Sequence, residues 1–152
     1  MTEMNARSSY VENAVRGASP VGLIVVLYDQ IVEDLRRAVT AMERRQIDGR
    51  TNAINHALLI IGQLQGRLNH EAGGQVAANL DRFYDVIRQN LIQAQVQQSK
   101  PLLLDLIAAL LEVRSAWHEA DRTQGIAGSD AARPAADPAE VSAGAARLDW
   151  EG

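Results

Sequence analysis

The sequence contains no cysteine, which excludes disulfides and thiolate metal ligation and suits a reducing compartment. Aromatic residues make up 4% of its 152 residues, so aliphatic packing must dominate any core. No stretch approaches the ~20 continuous apolar residues that a membrane span needs. The opening thirteen residues are polar and carry Glu3 and Glu12, with no basic lead before an apolar run, and they do not read as a secretory signal. The expectation is a cytoplasmic protein with no membrane insertion. Positive charge is neither abundant nor concentrated: the formal charge is −4, and Arg36-Arg37 and Arg44-Arg45 are the only basic doublets. Both doublets lie among acidic residues. Nucleic-acid binding needs a dense cationic face and is not expected.

Catalytic patterns are missing as well. His56, His70 and His118 are widely separated, and none stands in the Glu-x-x-His arrangement of di-metal carboxylate bundles. There is no Walker loop, no Gly-x-Ser-x-Gly, no His-Glu-x-x-His and no cysteine nucleophile. The chain reads as a non-enzyme with no cofactor.

What is present is helical periodicity. Ser19-Pro20 makes a sharp helix start, with a capping hydroxyl followed by a residue whose absent N–H costs nothing in the first turn. From there to about Arg45, Ile24, Tyr28, Ile31, Leu35, Ala38 and Met42 alternate steps of four and three and form one apolar seam. Asp48-Gly49 reads as a break. A second helix is expected from Thr51 to Asn69, with its seam at Ile54, Ala57, Ile61, Leu64 and Leu68. Gly73-Gly74 permits the left-handed backbone that ends helices. A third helix over Gln75–Gln97 uses Val76, Leu80, Phe83, Ile87, Leu91 and Ala94. A fourth, announced by Ser99 and Pro101, reaches about Asp121 with Leu103, Leu106, Leu110, Val113 and Trp117. Connections this short make neighbouring helices antiparallel, so the expected fold is all-α, an up-down four-helix bundle.

The chain divides into a lead segment (1–18), a bundle domain (19–122) and an acidic tail (123–152). The tail carries two arginines against five acids, and nine of its thirty residues are alanine. With few large apolar side chains to offset ordering entropy, it is expected to be mobile. Leu148-Asp149-Trp150 stands apart there, either incidental or a docking element.

The bundle helices carry more apolar residues than one seam needs. Leu58-Leu59-Ile60-Ile61 covers a whole turn, Ala77, Ala78, Tyr84, Val86 and Ile92 lie off the third seam, and Leu102-Leu103-Leu104 and Leu110-Leu111 repeat the excess. The surplus either packs inside the domain or forms a groove for an amphipathic partner helix. Tyr10 and Val15 in the lead segment suit a displaceable cap on such a groove, or a simple anchor for the N-terminus.

The pattern Tyr10-x-x-Asn13-x-Val15, then Ala18-Ser19-Pro20, Leu23-Ile24 and Leu27-Tyr28-Asp29, resembles the start of the FliS family of flagellin-specific export chaperones. A second block, Leu68 to Gly74 with Asn79-Leu80 and Phe83-Tyr84-Asp85, is similar to that family in the same order and spacing. Departures are small: Gln30 stands where the family usually has glycine, and Phe83 where leucine often precedes the tyrosine. The resemblance implies a cytoplasmic chaperone. It would bind the disordered C-terminal segment of flagellin, prevent premature polymerisation and serve type III export without nucleotide or metal. Export-apparatus or flagellar regulatory proteins are further partners it suggests. It also favours the cap role for Tyr10 and Val15. Groove walls are then expected from Ile60, Ile61, Leu64 and Leu68 with Leu80, Tyr84 and Leu91. The competing reading is a structural or regulatory bundle that buries its surplus in a homodimer.

Overall fold

In the computed structural model of the chain, residues 19–127 are described, and they form four α-helices: α1 (Pro20–Glu43), α2 (Ile47–Gly66), α3 (His70–Gln97) and α4 (Lys100–Ala127). The expected lead segment, and with it Tyr10 and Val15, lies outside the described residues, as does the tail beyond Ala127. Within them the all-α bundle is as expected, with no strand among the described residues.

Local chemistry sets each boundary. Ser19 Oγ accepts from the Gly22 N–H at 2.9 Å and Pro20 opens α1. The α1 C-terminus closes with Arg45 in the left-handed region (φ 55°), the Arg45 N–H on Met42 O at 3.2 Å and the Gln46 N–H on Ala41 O at 2.8 Å. These are the paired bonds of a Schellman ending, here without the usual glycine. The chain therefore turns within Arg44–Gln46, and Asp48-Gly49 is not the break: α2 already begins at Ile47. Asp48 sits in its first turn, where a carboxylate complements the helix dipole. A Cβ on Gly49 would lie 3.5 Å from Ala41 Cβ, an ordinary contact, which measures how close the start of α2 comes to the end of α1.

Asn69 caps α3, its Oδ1 accepting from the Ala72 N–H at 2.9 Å. Gly74 then takes φ 51°, ψ −126°, a conformation open to glycine, so the anticipated break falls one turn inside α3 as a kink. Gln98 ends α3 in the left-handed region (φ 53°, ψ 45°), and Ser99 starts α4 with its Oγ accepting from the Leu102 N–H at 3.2 Å. The last helix continues to Ala127, past the composition change at Arg122.

The helices make a square in which α1 packs on α2 and α4, and α3 on α2 and α4, with the diagonals unpaired at backbone level. The α1–α2 approach is the closest, which fits the small Ala38, Ala41, Ala53 and Ala57 on those two seams. The α3 seam is bulky, with Phe83, Tyr84, Ile87 and Leu91 all buried, and α3 stands further from its neighbours.

Across the open diagonal two tyrosines meet. Tyr28 of α1 and Tyr84 of α3 are fully buried, their hydroxyls 2.9 Å apart and their rings edge to face at 6.2 Å between centroids. Burial raises the Tyr28 pKa well above its usual value, with a further upward push from the neighbouring Tyr84. Burial likewise raises Tyr84. Trp117 of α4 lies close enough to Tyr28 to offset a small part of that rise, yet its buried Nε1 makes no hydrogen bond.

Each tyrosine is followed by an aspartate that ties a lateral edge. Asp29 pairs with Arg114 Nε at 2.5 Å, joining α1 to α4. Asp85 accepts from Gln65 Nε2 at 2.8 Å and pairs with Arg88 Nη1 at 3.0 Å, joining α3 to α2. At the α1–α2 edge, Asp34 is wholly buried, with Oδ2 at 2.6 Å from His56 Nδ1 and Oδ1 held by Arg37.

Tyr84→Phe leaves the buried Tyr28 hydroxyl without its partner and should cost about 1–3 kcal/mol in urea unfolding, while the double change Tyr28→Phe/Tyr84→Phe should cost less than the single one. Both folded-state pKa values lie above the unfolded value, so the tyrosines stay neutral in the fold. Their contribution should hold constant below about pH 10 and fall as pH rises beyond it, so neither should ionise at 295 nm before unfolding. Arg45→Gly relieves a left-handed non-glycine and should stabilise by about 1 kcal/mol or less, read as a higher urea midpoint.

Candidate partner-binding surface

The groove-wall residues are brought together, but facing inward. Ile60, Ile61 and Leu64 on α2 and Leu80, Tyr84 and Leu91 on α3 are core residues, none more than 4% exposed. Leu68, beyond the end of α2, is half-buried against the same core. A seam position on a bundle helix points at the bundle axis, so these six shape the α2–α3 contact from within. A partner reaching the described surface meets other side chains.

Subtracting the seam from each apolar run gives those side chains. Of Leu58–Ile61, Ile60 and Ile61 face the core, Leu58 is half-buried and Leu59 is 61% exposed. On α3, Ile92 is 49% and Val96 76% exposed, one turn apart on one face. On α4, Leu103 is buried while Leu104 is exposed, and Leu110 is buried beside a half-buried Leu111. The surplus thus divides: Tyr84 and Ala77 pack inside, whereas Leu59, Ile92, Val96 and Leu104 remain on the surface.

The polar ties fix how the α2 and α3 rows lie together. Gln65 on Asp81 and Asp85 clamps one end of the pair. At the other end Gln95 receives Arg50 Nε at 3.1 Å and donates to Thr51 Oγ1 at 2.8 Å. Antiparallel helices held at both ends place the Leu58-Leu59 turn of α2 level with the Arg88–Ile92 stretch of α3. Past Leu59, Gly62 and Gly66 leave the outer surface of α2 bare: a Cβ at either would meet nothing within 4 Å. The outer side of α2 and α3 therefore carries Leu59, Ile92 and Val96 exposed, with polar ties toward either end.

Sequence reasoning flagged Leu58-Leu59, Ile92 and Leu104 as surplus without choosing them. Ile47, 66% exposed, and Val96 escaped it. The signal for Val96 was available, since it lies four residues after Ile92 and two after the seam residue Ala94. Ile47 was hidden by the late helix start.

Among the described residues no group of three His, Cys, Asp or Glu side chains is placed to hold a metal. No helix among them is long and apolar enough to cross a membrane.

Residues 3–124 match the model of the family described as "Flagellar protein FliS". Among curated proteins, the chain is similar to the flagellar secretion chaperone FliSB of Pseudomonas aeruginosa, with 39% identity over 77% of this chain and 96% of that protein. It is also similar to the flagellar secretion chaperones FliS of Salmonella typhimurium (32% identity; 72% of this chain, 82% of that protein) and Vibrio cholerae (31%; 72% and 80%). With a family match across the whole bundle and a relative this similar along nearly its full length, the chain belongs to the FliS family of flagellar proteins.

Proposed function

We propose that the protein is a flagellar export chaperone whose client is the C-terminal segment of flagellin, bound as an amphipathic helix on the outer face of α2–α3. The family is one of chaperones, not of enzymes, and the relatives are named flagellar secretion chaperones. The observation that carries the client reading is the outward row of Leu59, Ile92 and Val96. A permanently bare row of this kind on a bundle without a catalytic site needs a cover. Burying each such side chain contributes about 1.5–3 kcal/mol, and the sum must exceed the few kcal/mol that ordering a disordered client costs.

In this reading Leu68 touches the client directly. Ile60, Ile61, Leu64, Leu80, Tyr84 and Leu91 hold the two helices at the right spacing beneath it. Tyr10 and Val15 shield the strip until the client arrives, which lowers apparent affinity by the fraction of chains in the capped state. Sequestered in this way, the flagellin end cannot polymerise before export.

Calorimetric titration with a C-terminal flagellin segment should give saturable binding with a negative heat-capacity change. Leu59→Asp and Ile92→Asp should each weaken it at least about tenfold with helicity retained, since both sites are exposed. Leu64→Asp, by contrast, should unfold the bundle. Unchanged affinity in both surface variants would overturn the proposed strip. No binding at all, with a concentration-independent dimer in sedimentation, would overturn the client reading. Tyr10→Ala should raise affinity without altering the circular dichroism spectrum, and an unchanged affinity would remove the cap.

A further inference from the structure

The end of the bundle that carries the α1–α2 and α3–α4 connections combines two unused features. Its charges are Arg44, Arg45, Arg50 and Lys100 against Glu43 and Asp48. Lys100 pairs with Glu43 at 2.6 Å, and Arg50 is nearly buried on Gln95. Arg44 and Arg45 are exposed, with no ion pair among the described residues, and the left-handed turn at Arg45 fixes their backbone in place. Beside them stand two of the most exposed large apolar side chains, Ile47 and Val96. The Arg50–Gln95–Thr51 hydrogen bonds hold the turn bearing Ile47 against the turn bearing Val96. A basic rim beside an apolar pair is complementary to a short acidic segment with large apolar anchors.

The chain contains such a segment. Beyond Ala127 its large apolar side chains are Val141, Leu148 and Trp150, and the last two are interleaved with Asp149 and Glu151. The family match ends at residue 124, so this stretch lies outside the matched residues. The 28 residues of α4 span about 42 Å, which puts Ala127 at the opposite end of the bundle. The 21 residues from there to Leu148 extend up to about 70 Å, enough to return along the bundle. Tethering makes the encounter intramolecular, so even a weak contact is populated.

We propose that Leu148-Asp149-Trp150-Glu151 docks on this end, Trp150 and Leu148 covering Ile47 and Val96 while Asp149 and Glu151 face Arg44 and Arg45. The contact is a second interaction surface, built for the chain's own tail. It does not depend on flagellin being the client.

Tryptophan fluorescence tests it in the full chain. Trp117→Phe leaves Trp150 as the single reporter and removes an indole N–H that has no partner. Trp150 should emit to the blue of its position in a peptide of residues 140–152 and should be severalfold less quenched by acrylamide. Val96→Asp and the pair Arg44→Glu/Arg45→Glu should each abolish that protection, and added salt should reduce it. Circular dichroism should stay unchanged, because all three positions are exposed. Quenching equal to that of the free peptide would overturn the proposal. Protection that survives both variants would place Trp150 elsewhere, and protection lost on dilution would assign the surface to a second copy of the chain; either result overturns it.

Discussion

The Tyr28–Tyr84 hydroxyl pair is the contact on which the rest of the bundle depends. It spans the diagonal between α1 and α3, which do not approach at backbone level, and it does so within a largely aliphatic core that also holds Phe83 and Trp117. An aliphatic seam can slide by a turn with modest loss, since Leu and Ile satisfy one another in many registers. Two buried hydroxyls cannot: a slip leaves each without a partner in a low-dielectric interior. Once the pair is set, Asp29 meets Arg114 and Asp85 meets Gln65 and Arg88, so the lateral edges take their register from the diagonal. The exposed row follows in turn. Leu59 lies level with Arg88, and Ile92 and Val96 follow one and two turns further along α3, because α2 and α3 are fixed along their length.

Much of the fold was legible because its signals are periodic and local. Most of the seam residues named in advance are the core, and Ser19 and Ser99 start helices as their chemistry requires, whereas Asn69, expected to end the second helix, caps α3 instead. The misplaced α1–α2 boundary has a specific cause. Asp48-Gly49 resembles a breaker, whereas the real ending uses Arg45 in a conformation that no residue type announces. The Tyr-Asp pairs were visible as a repeat, but their division of labour was not. That tyrosines 56 residues apart in the chain share one hydrogen bond is a tertiary fact.

The candidate site was less legible, for a geometric reason. Periodicity identifies a helix's most apolar face, and in a bundle that face points inward. The residues chosen as groove walls, Ile60 through Leu91, were drawn from it and are core. What stays on the surface after the seam is removed includes Leu59, Ile92 and Val96. Leu58–Ile61 shows the division within one turn, two residues holding the fold and one standing free. The excess apolar content of the sequence therefore divides between core residues and exposed ones, and periodicity alone does not say which is which.

A register fixed by two tyrosines sets where Leu59, Ile92 and Val96 stand on the outside of α2–α3, the surface proposed for a client helix. Hydrogen exchange of the full chain, with and without the flagellin C-terminal segment, tests that claim most directly. Added protection is expected in α2 around Leu58-Leu59 and in α3 from Arg88 to Val96, with the amides around Tyr28 already slow and unchanged. Protection confined to α1 and α4, or none on adding the segment, would contradict it.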